Sequence, residues 1–331
     1  MLLACRMRPV PSISLVVPAY NESKNLPHVV PGMVSALRAL SDRVEVVLVD
    51  DGSRDNTVEV IDALSRQHPE VVGVKLSRNF GKEAAITAGL HEARGEVVAI
   101  MDADGQHPVS LLDKMLTLWR EGNDVVYAVR TTRDDQSRFQ AFLTKGFYRL
   151  INSGSRLTIP ENAGDFRLMG RQVVDALNAL PERHRFMKGL YAWVGFTSTA
   201  IDYQPQDRIE GKSRFGYAGA MSLAATGLIA FSSKPLRTLG VLGILMSMLA
   251  FAFGMWTVLE HFIYGTKVPG YATIVVCMAF FSGIQLIGLG VMAEYISRIY
   301  DESKGRPLFL VHRRMGTGLP RPEDSQPDTR A

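Results

Sequence analysis

Five short apolar runs rich in β-branched residues punctuate the first 130 positions: "ISLVVP" (Ile13–Pro18), "VEVVLVD" (Val44–Asp50), "VVGVKL" (Val71–Leu76), "VVAIMD" (Val97–Asp102) and "DVVYAV" (Asp124–Val129). Helical patterning fills the gaps between them, at Asn25–Leu40, Thr57–His68, Lys82–Glu92 and Pro108–Glu121. Runs this continuous predict strands buried on both faces, and their alternation with helices predicts a parallel α/β sheet. Ligands of such sheets bind beyond the carboxyl ends of the strands. The polar motifs fall there: "PAYNE" after the first strand, "DDGSRDNT" after the second and "DADGQH" after the fourth. Three strand ends therefore converge on one crevice.

The pattern changes in the second half. Leu239–Leu259 contains no charged residue, and in Tyr271–Ala293 the most polar side chain is Gln285. Each run reaches the roughly 20 residues needed to cross a bilayer. The segment between them carries one lysine, whereas both outer flanks are rich in Lys and Arg, which places the flanks in the cytoplasm. "SRFQAFLTKGFYRLIN" (Ser137–Asn152) predicts an amphipathic helix, and Gly164–Met169 a short polar turn entering another element. Ser213–Ser233, apolar and rich in small residues, predicts helices lying at the membrane interface. The resulting scheme is an N-terminal extension (1–11), a cytoplasmic domain (12–212), juxtamembrane amphipathic helices (213–235), membrane helices (236–259 and 271–295) around an external loop (260–270), a cytoplasmic extension (296–314) and a disordered tail (315–331).

Composition narrows this further. The chain has 331 residues, 21% charged and 47% hydrophobic, with net charge +4. The basic excess gathers in "KPLR", "SRIYDESKGR" and "HRR" around the apolar blocks rather than on a recognition helix, so nucleic acid is not the expected partner. Cys5 and Cys277 give no disulfide framework, and "MLLAC" lacks the preceding apolar segment of a lipoprotein leader. Neither a G-x-G-x-x-G fingerprint nor a P-loop is present.

Asp102 and Asp104 stand one residue apart where a buried strand stops. Carboxylates this close repel, so a positive group, lysine or metal, belongs with them. "DADGQ" offers the hard oxygen ligands that suit Mg²⁺ or Mn²⁺. Such a cation can bridge a diphosphate and take up charge as it departs. The simpler alternative is a pair of loop acids on a solvated rim. Asp50 and Asp51 could accept from a base or ribose, Asp55 and Thr57 could start the following helix, and Tyr20 and Glu22 occupy a turn before a helix.

Taken together, "SLVVPAYNESKNL", "VLVDDGSRDNT", "LSRNFGKEAAITAGLHEARGEVVAIMDADGQHP" and "RIEGKSR" resemble glycosyltransferase family 2. With "NAGDFRLM", "RFMKGLYAWVGF", "FSSKPLR" and the two C-terminal apolar blocks, the chain resembles the polyprenyl-phosphate glycosyltransferases, which include bactoprenol glucosyltransferases and dolichyl-phosphate mannose synthases. The resemblance implies a Rossmann-like GT-A α/β domain followed by interfacial helices and two transmembrane helices. It implies a nucleotide-sugar donor, Mg²⁺ or Mn²⁺, and inversion at the anomeric carbon. Carried onto this sequence, it makes Pro18, Tyr20, Glu22, Val49, Asp51 and Arg130 donor-binding residues. Asp102, Ala103 and Asp104 would meet ribose and metal, with Gln106 completing the metal shell. Arg208 and Arg214 would grip the diphosphate or the acceptor phosphate; Arg214 stands where many relatives have lysine.

Asp165 matches the position assigned as catalytic base, so the implied catalytic set is Asp104, Asp165, Arg208 and Arg214. Chemistry argues against the base role. A phosphate monoester has its second pKa near about 6 and is already largely the dianion at neutral pH, so it needs no deprotonation. Asp165 then orients a sugar hydroxyl or orders the site.

Lys234 and Arg237 are placed to meet the acceptor phosphate at the membrane surface, or serve topology alone. The implied reaction transfers one hexose, glucose from UDP-glucose, to undecaprenyl phosphate at the cytoplasmic face. Mannose, a 4-amino-arabinose derivative, or a sensor that binds a nucleotide-sugar without turnover stand as alternatives. A processive synthase is disfavoured because Q-x-x-R-W is missing. The resemblance further implies a homotetramer built through "RPLFLVHRR" (Arg306–Arg314) and a separate flippase.

Overall fold

The apolar runs become strands in the computed structural model, which describes residues 7–131, 163–183, 185–205, 234–264 and 270–320. They are β1 (Ile13–Ala19), β2 (Val44–Asp50), β3 (Val71–Leu76), β4 (Val97–Ile100) and β5 (Val125–Arg130). The intervening helices are α1 (Leu26–Leu40), α2 (Thr57–Gln67), α3 (Lys82–Glu92) and α4 (Leu111–Arg120). Farther along come β6 (Ala163–Gly170), α5 (Arg171–Ala179), α6 (Met187–Trp193), β7 (Ser198–Tyr203), α7 (Lys234–Tyr264), α8 (Tyr271–Ser303) and β8 (Val311–Met315). The predicted helix at Ser137–Asn152 and interfacial helices at Ser213–Ser233 lie outside the described residues.

The strands form one sheet in the order β7-β5-β6-β4-β1-β2-β3-β8. β1 pairs parallel with β2 and β4, β2 with β3, and β5 with β7. The sheet is mixed rather than all parallel, because β6 inserts antiparallel between β4 and β5 and β8 pairs antiparallel with β3. β6 replaces the polar turn expected at Gly164–Met169. Its Phe166 and Leu168 enter the core on one face and Met169 on the other, and Arg167 is buried between them in sequence. Two charged residues, Asp165 and Arg167, interleaved with the core residues Phe166, Leu168 and Met169 had masked a strand.

Helices cover both faces. α1, α2 and α4 pack Leu26, Met33, Leu37, Ile61, Met115 and Trp119 against one side, while α3, α5 and α6 pack Ile86, Leu90, Val173, Leu177 and Leu190 against the other. α3 lies so close to β1 that a Cβ at Gly89 would run into Val16, and the nearby α3 positions Ala85 and Ala88 are also small and buried.

The chain end returns to this domain. β8 joins the free edge of β3 with Val74 opposite Arg314 and Gly73 opposite Met315. Of the tail expected to be disordered over 315–331, Met315 ends β8 and the chain is held at least to Leu319. Buried Glu45 accepts hydrogen bonds from Ser14 Oγ (2.6 Å), Arg94 N (2.6 Å) and Leu319 N (3.0 Å). The Arg94 guanidinium donates to the carbonyls of Thr317 and Leu319.

α7 and α8 expose apolar side chains along their length, among them Phe251, Phe262, Leu286 and Ile299. Of the two expected crossings, one segment among the described residues, Phe280–Ser303, is long and apolar enough to span a membrane; Gly243–Trp256 in α7 is a shorter apolar stretch.

Gly52 provides a test of the loop packing above the sheet. Its φ is +66°, and a Cβ there would overlap the Arg78 and Asn79 backbone. Gly122 also has positive φ (+118°), but its Cβ would meet open space. Each Ala substitution should carry about 1–3 kcal/mol of backbone strain, and Gly52→Ala should lose more because of the overlap. Thermal unfolding in detergent should rank Gly52→Ala below Gly122→Ala; the reverse order would contradict this packing.

Candidate active site

β4 is parallel to β1 and β2, and β5 runs the same way because both flank antiparallel β6. The carboxyl ends of four strands therefore meet the starting end of β6 along one edge. In the β4–β6 ladder Val97 faces Gly170 and Ile100 faces Arg167. Asp102 follows two residues after the end of β4, and Asp165 stands in β6 two residues before Arg167, so both lie at this edge. Carboxylates brought this close repel.

A lysine resolves that repulsion. Lys82, the first residue of α3, places Nζ 2.7 Å from Asp102 Oδ1 and 2.8 Å from Asp165 Oδ2. Burial works against the ammonium, but the Asp165 and Asp102 charges outweigh it and raise its pKa. Burial works most strongly against both carboxylates, but the charge and hydrogen bond of Lys82, joined by His107 at Asp102 and by the Lys188 charge at Asp165, together hold each below the ordinary range. His107 Nε2 lies 3.5 Å from Asp102 Oδ2. The His107 ring is buried against Phe166 and Tyr203, at centroid distances of 4.8 and 5.6 Å.

The rest of the Asp-x-Asp loop is tied to β5 and β7. Gly105 turns it with φ +74°, and Asp104 Oδ1 accepts from Gln106 N at 3.1 Å. Arg130 Nη2 donates to Gln106 Oε1 (3.3 Å) and Arg130 Nε to Tyr203 Oη (3.1 Å). Ala103 is buried in the floor.

On the other side, Pro18 and Val49 are register partners below Tyr20 and Asp51. Asp51 is buried and accepts from Phe80 N (2.7 Å) and Gly81 N (2.9 Å). Burial raises its pKa against those two bonds. Glu22 Oε2 accepts from Asn25 Nδ2 at 2.6 Å, and Glu22 N donates to Thr57 Oγ1 at 2.9 Å. Asp55 accepts from Thr57 Oγ1 (2.5 Å) and Ser23 Oγ (2.7 Å), consistent with a turn residue at the start of α2.

Arg208 and Arg214 lie outside the described residues. Lys234 and Arg237 begin α7, but their side chains lie outside the description. The structure thus brings Tyr20, Asp51, Asp102, Asp104, Gln106, Arg130 and Asp165 to one edge.

Sequence reasoning gave no role to Lys82, His107, Tyr203, Glu83, Arg167 or Tyr191. Arg167 Cζ stacks 3.3 Å from the Tyr191 ring centroid, and Nη2 donates to Gly164 O at 2.8 Å. Glu83 has its pKa pushed up to about 8, by burial first and then by the Asp165 charge, against Lys82.

The residue types suit a divalent cation in part. Among the described residues no group of three or more His, Cys, Asp or Glu stands together as a metal cluster. Asp102 and Asp104 supply two hard oxygen donors, the kind of partial set that substrate phosphates and water complete around Mg²⁺. Lys82 sits on one of those donors, and Gln106 Oε1 accepts from Arg130.

Residues 14–177 match the sequence profile described as Glycosyl transferase family 2. The bactoprenol glucosyl transferase of Shigella phage SfV is 39% identical over 299 residues, covering 90% of this chain and 97% of its own. The chain belongs to glycosyltransferase family 2. A prophage bactoprenol glucosyl transferase homolog of Escherichia coli K12 is also 39% identical, over 91% of this chain and 98% of its own. Among solved structures, the chain is similar to a mannosyltransferase from Pyrobaculum calidifontis in complex with GDP-Man and Mn²⁺, at 17% identity, TM-score 0.46, and coverage of 90% and 89%. This family 2 chain is a glycosyltransferase enzyme, and its mixed-sheet α/β fold is GT-A-like.

Glu83 predicts a pH dependence of stability. Its native pKa of about 8 exceeds the ordinary 4.5, so the native state holds a proton that the unfolded chain releases. That contribution is fully present below pH 4.5 and is lost as pH rises towards 8, with a slope of up to about 1.4 kcal/mol per pH unit. Glu83→Gln mimics the protonated form and should flatten the fall in thermal midpoint across this window. Equal slopes in the two proteins would contradict the assignment.

Proposed function

We propose that this glycosyltransferase moves one hexose, glucose from UDP-glucose, onto undecaprenyl phosphate at the cytoplasmic face of the membrane, with inversion. The observation that carries the reading is the meeting of Asp102, Asp104, Asp165 and Arg130 at one strand edge of a family 2 domain. The near full-length match to proteins named bactoprenol glucosyl transferase supports the acceptor and the sugar.

In this reading Tyr20, Glu22, Asp51 and the floor at Pro18, Val49 and Ala103 receive the nucleotide. Asp102 and Asp104 would hold a divalent cation beside the donor diphosphate. Bound Mg²⁺ or Mn²⁺ supplies charge neutralisation for the departing nucleoside diphosphate. Arg130, Arg208 and Arg214 add positive charge where negative charge develops. The acceptor phosphate attacks as its dianion, so Asp165 aligns a sugar hydroxyl rather than removing a proton.

α7 and α8 both cross the membrane in this proposal, bringing the lipid to the crevice. Lys234 and Arg237 at the start of α7 meet its phosphate. The polyprenyl chain stays in the bilayer because each buried CH₂ is worth about 0.8 kcal/mol.

The decisive assay uses purified protein in detergent, undecaprenyl phosphate, Mn²⁺ and a panel of labelled UDP- and GDP-sugars. A lipid-linked product from one donor is expected, lost with chelator and reduced by about 10²-fold or more in Asp104→Asn. Nucleotide binding without product from any donor would replace this reading with that of a sensor.

A further inference from the structure

Lys82 has no part in the roles above, yet it makes the most consequential contacts at the strand edge. Its two partners come from different elements: Asp102 follows β4, and Asp165 lies in β6. Asp102 belongs to the loop assigned to the donor, and Asp165 faces the reacting sugar in the proposed reaction. One ammonium therefore spans the donor side and the sugar side of the crevice.

The local structure gives further reasons to regard this placement as functional. Lys82 is the first residue of α3, where the helix dipole disfavours a cation. A lysine at that end needs compensation from elsewhere, and the two carboxylates supply it. The loop that delivers it is fixed as well. Asp51 binds the amides of Phe80 and Gly81, and Gly81 adopts φ +99° immediately before Lys82. The ammonium is thus aimed by a buried carboxylate at the end of β2 at two carboxylates two and three strands along the same edge. Neighbouring arginines have other described partners: Arg130 bonds Gln106 and Tyr203, and Arg167 bonds Gly164 O and stacks on Tyr191.

We infer that Lys82 is a positioning residue for the transfer reaction, a cation that bridges Asp102 and Asp165 and locks them at a fixed separation so that donor and sugar-orienting groups stay in register. The inference rests on the glycosyl-transfer reading. Lys82 acts through the two aspartates and touches no reacting atom. Losing it leaves two facing carboxylates that repel and swing apart, which misaligns the reactants more than it weakens nucleotide binding.

The test compares wild type, Lys82→Met, Lys82→Arg, Asp165→Asn and the Lys82→Met/Asp165→Asn double variant, all full-length in detergent. Readouts are kcat and KM for the donor, and UDP affinity by calorimetry with Mn²⁺ and with chelator. In Lys82→Met, kcat should fall about 10²-fold while UDP affinity stays within about threefold of wild type. Lys82→Arg should recover about tenfold of the loss, since charge returns but the guanidinium fork cannot reproduce a point ammonium. The double variant should lose little beyond the worse single one, because both changes break the same unit.

A Lys82→Met enzyme with near wild-type kcat, a UDP affinity that falls in step with kcat, or additive losses in the double variant would each overturn the inference. Should Lys82→Met fail to fold, Lys82→Arg with and without Asp165→Asn decides by the same criterion: non-additive losses support the role and additive ones end it. Absence of product from wild type with every donor would instead remove the transfer reading, and this inference with it.

Discussion

Two carboxylates held close together at a sheet edge must be neutralised, and the edge of this domain is organised around that constraint. The antiparallel pairing of β4 and β6 brings the loop that follows β4, with Asp102, to the starting end of β6, with Asp165. The ammonium of Lys82 keeps them there, at 2.7 and 2.8 Å. Coulomb attraction at such distances in a partly buried site exceeds the desolvation opposing it, as the shifted pKa values of all three groups express. Without a cation at this point, the β6 insertion would place charge against like charge at the mouth of the crevice.

The loops around that triad act as a frame. Asp51 holds the α3 entrance, Arg130 ties the Asp-x-Asp turn to β5 and β7, and His107 backs Asp102 from an aromatic cluster with Phe166 and Tyr203. Apart from His107 on Asp102, these contacts join residues distant in sequence, so the site is assembled by the sheet and not by any one motif. Ligand groups that would be costly to order on binding are ordered in advance, which is how a scaffold lowers the entropic cost of aligning two substrates.

Much of this was legible in the chain. The five apolar runs and four helices emerged within a few residues of their expected limits, because continuous Val, Ile and Leu segments have few alternatives to a doubly covered sheet. Asp51, Asp102 and Asp104 came to the strand edge because strand ends in such sheets face the same way. β6 was not legible: "AGDFRLMG" buries a charged residue, Arg167, and a half-buried Asp165, which reads as polar until its partners are known. Lys82 stood in a quoted motif, "NFGKEAA", with a signal available in its place at a helix N-terminus, where a cation needs a reason. The answer to the Asp-x-Asp repulsion needed the fold, since the lysine precedes Asp102 by a whole helix and strand.

The return of the chain end to the sheet has a mechanical consequence. Residues 304–310 are all that separate the end of α8 from β8, and seven residues reach no farther than about 25 Å. The outer edge of β3 is therefore leashed within that radius of the end of α8. A catalytic body fastened only at the start of α7 could pivot about a single joint. Stitched at a second point through β8 and the Glu45 clasp on Leu319, it has far less freedom to tip, and the height of its crevice above the helix pair becomes a property of the fold.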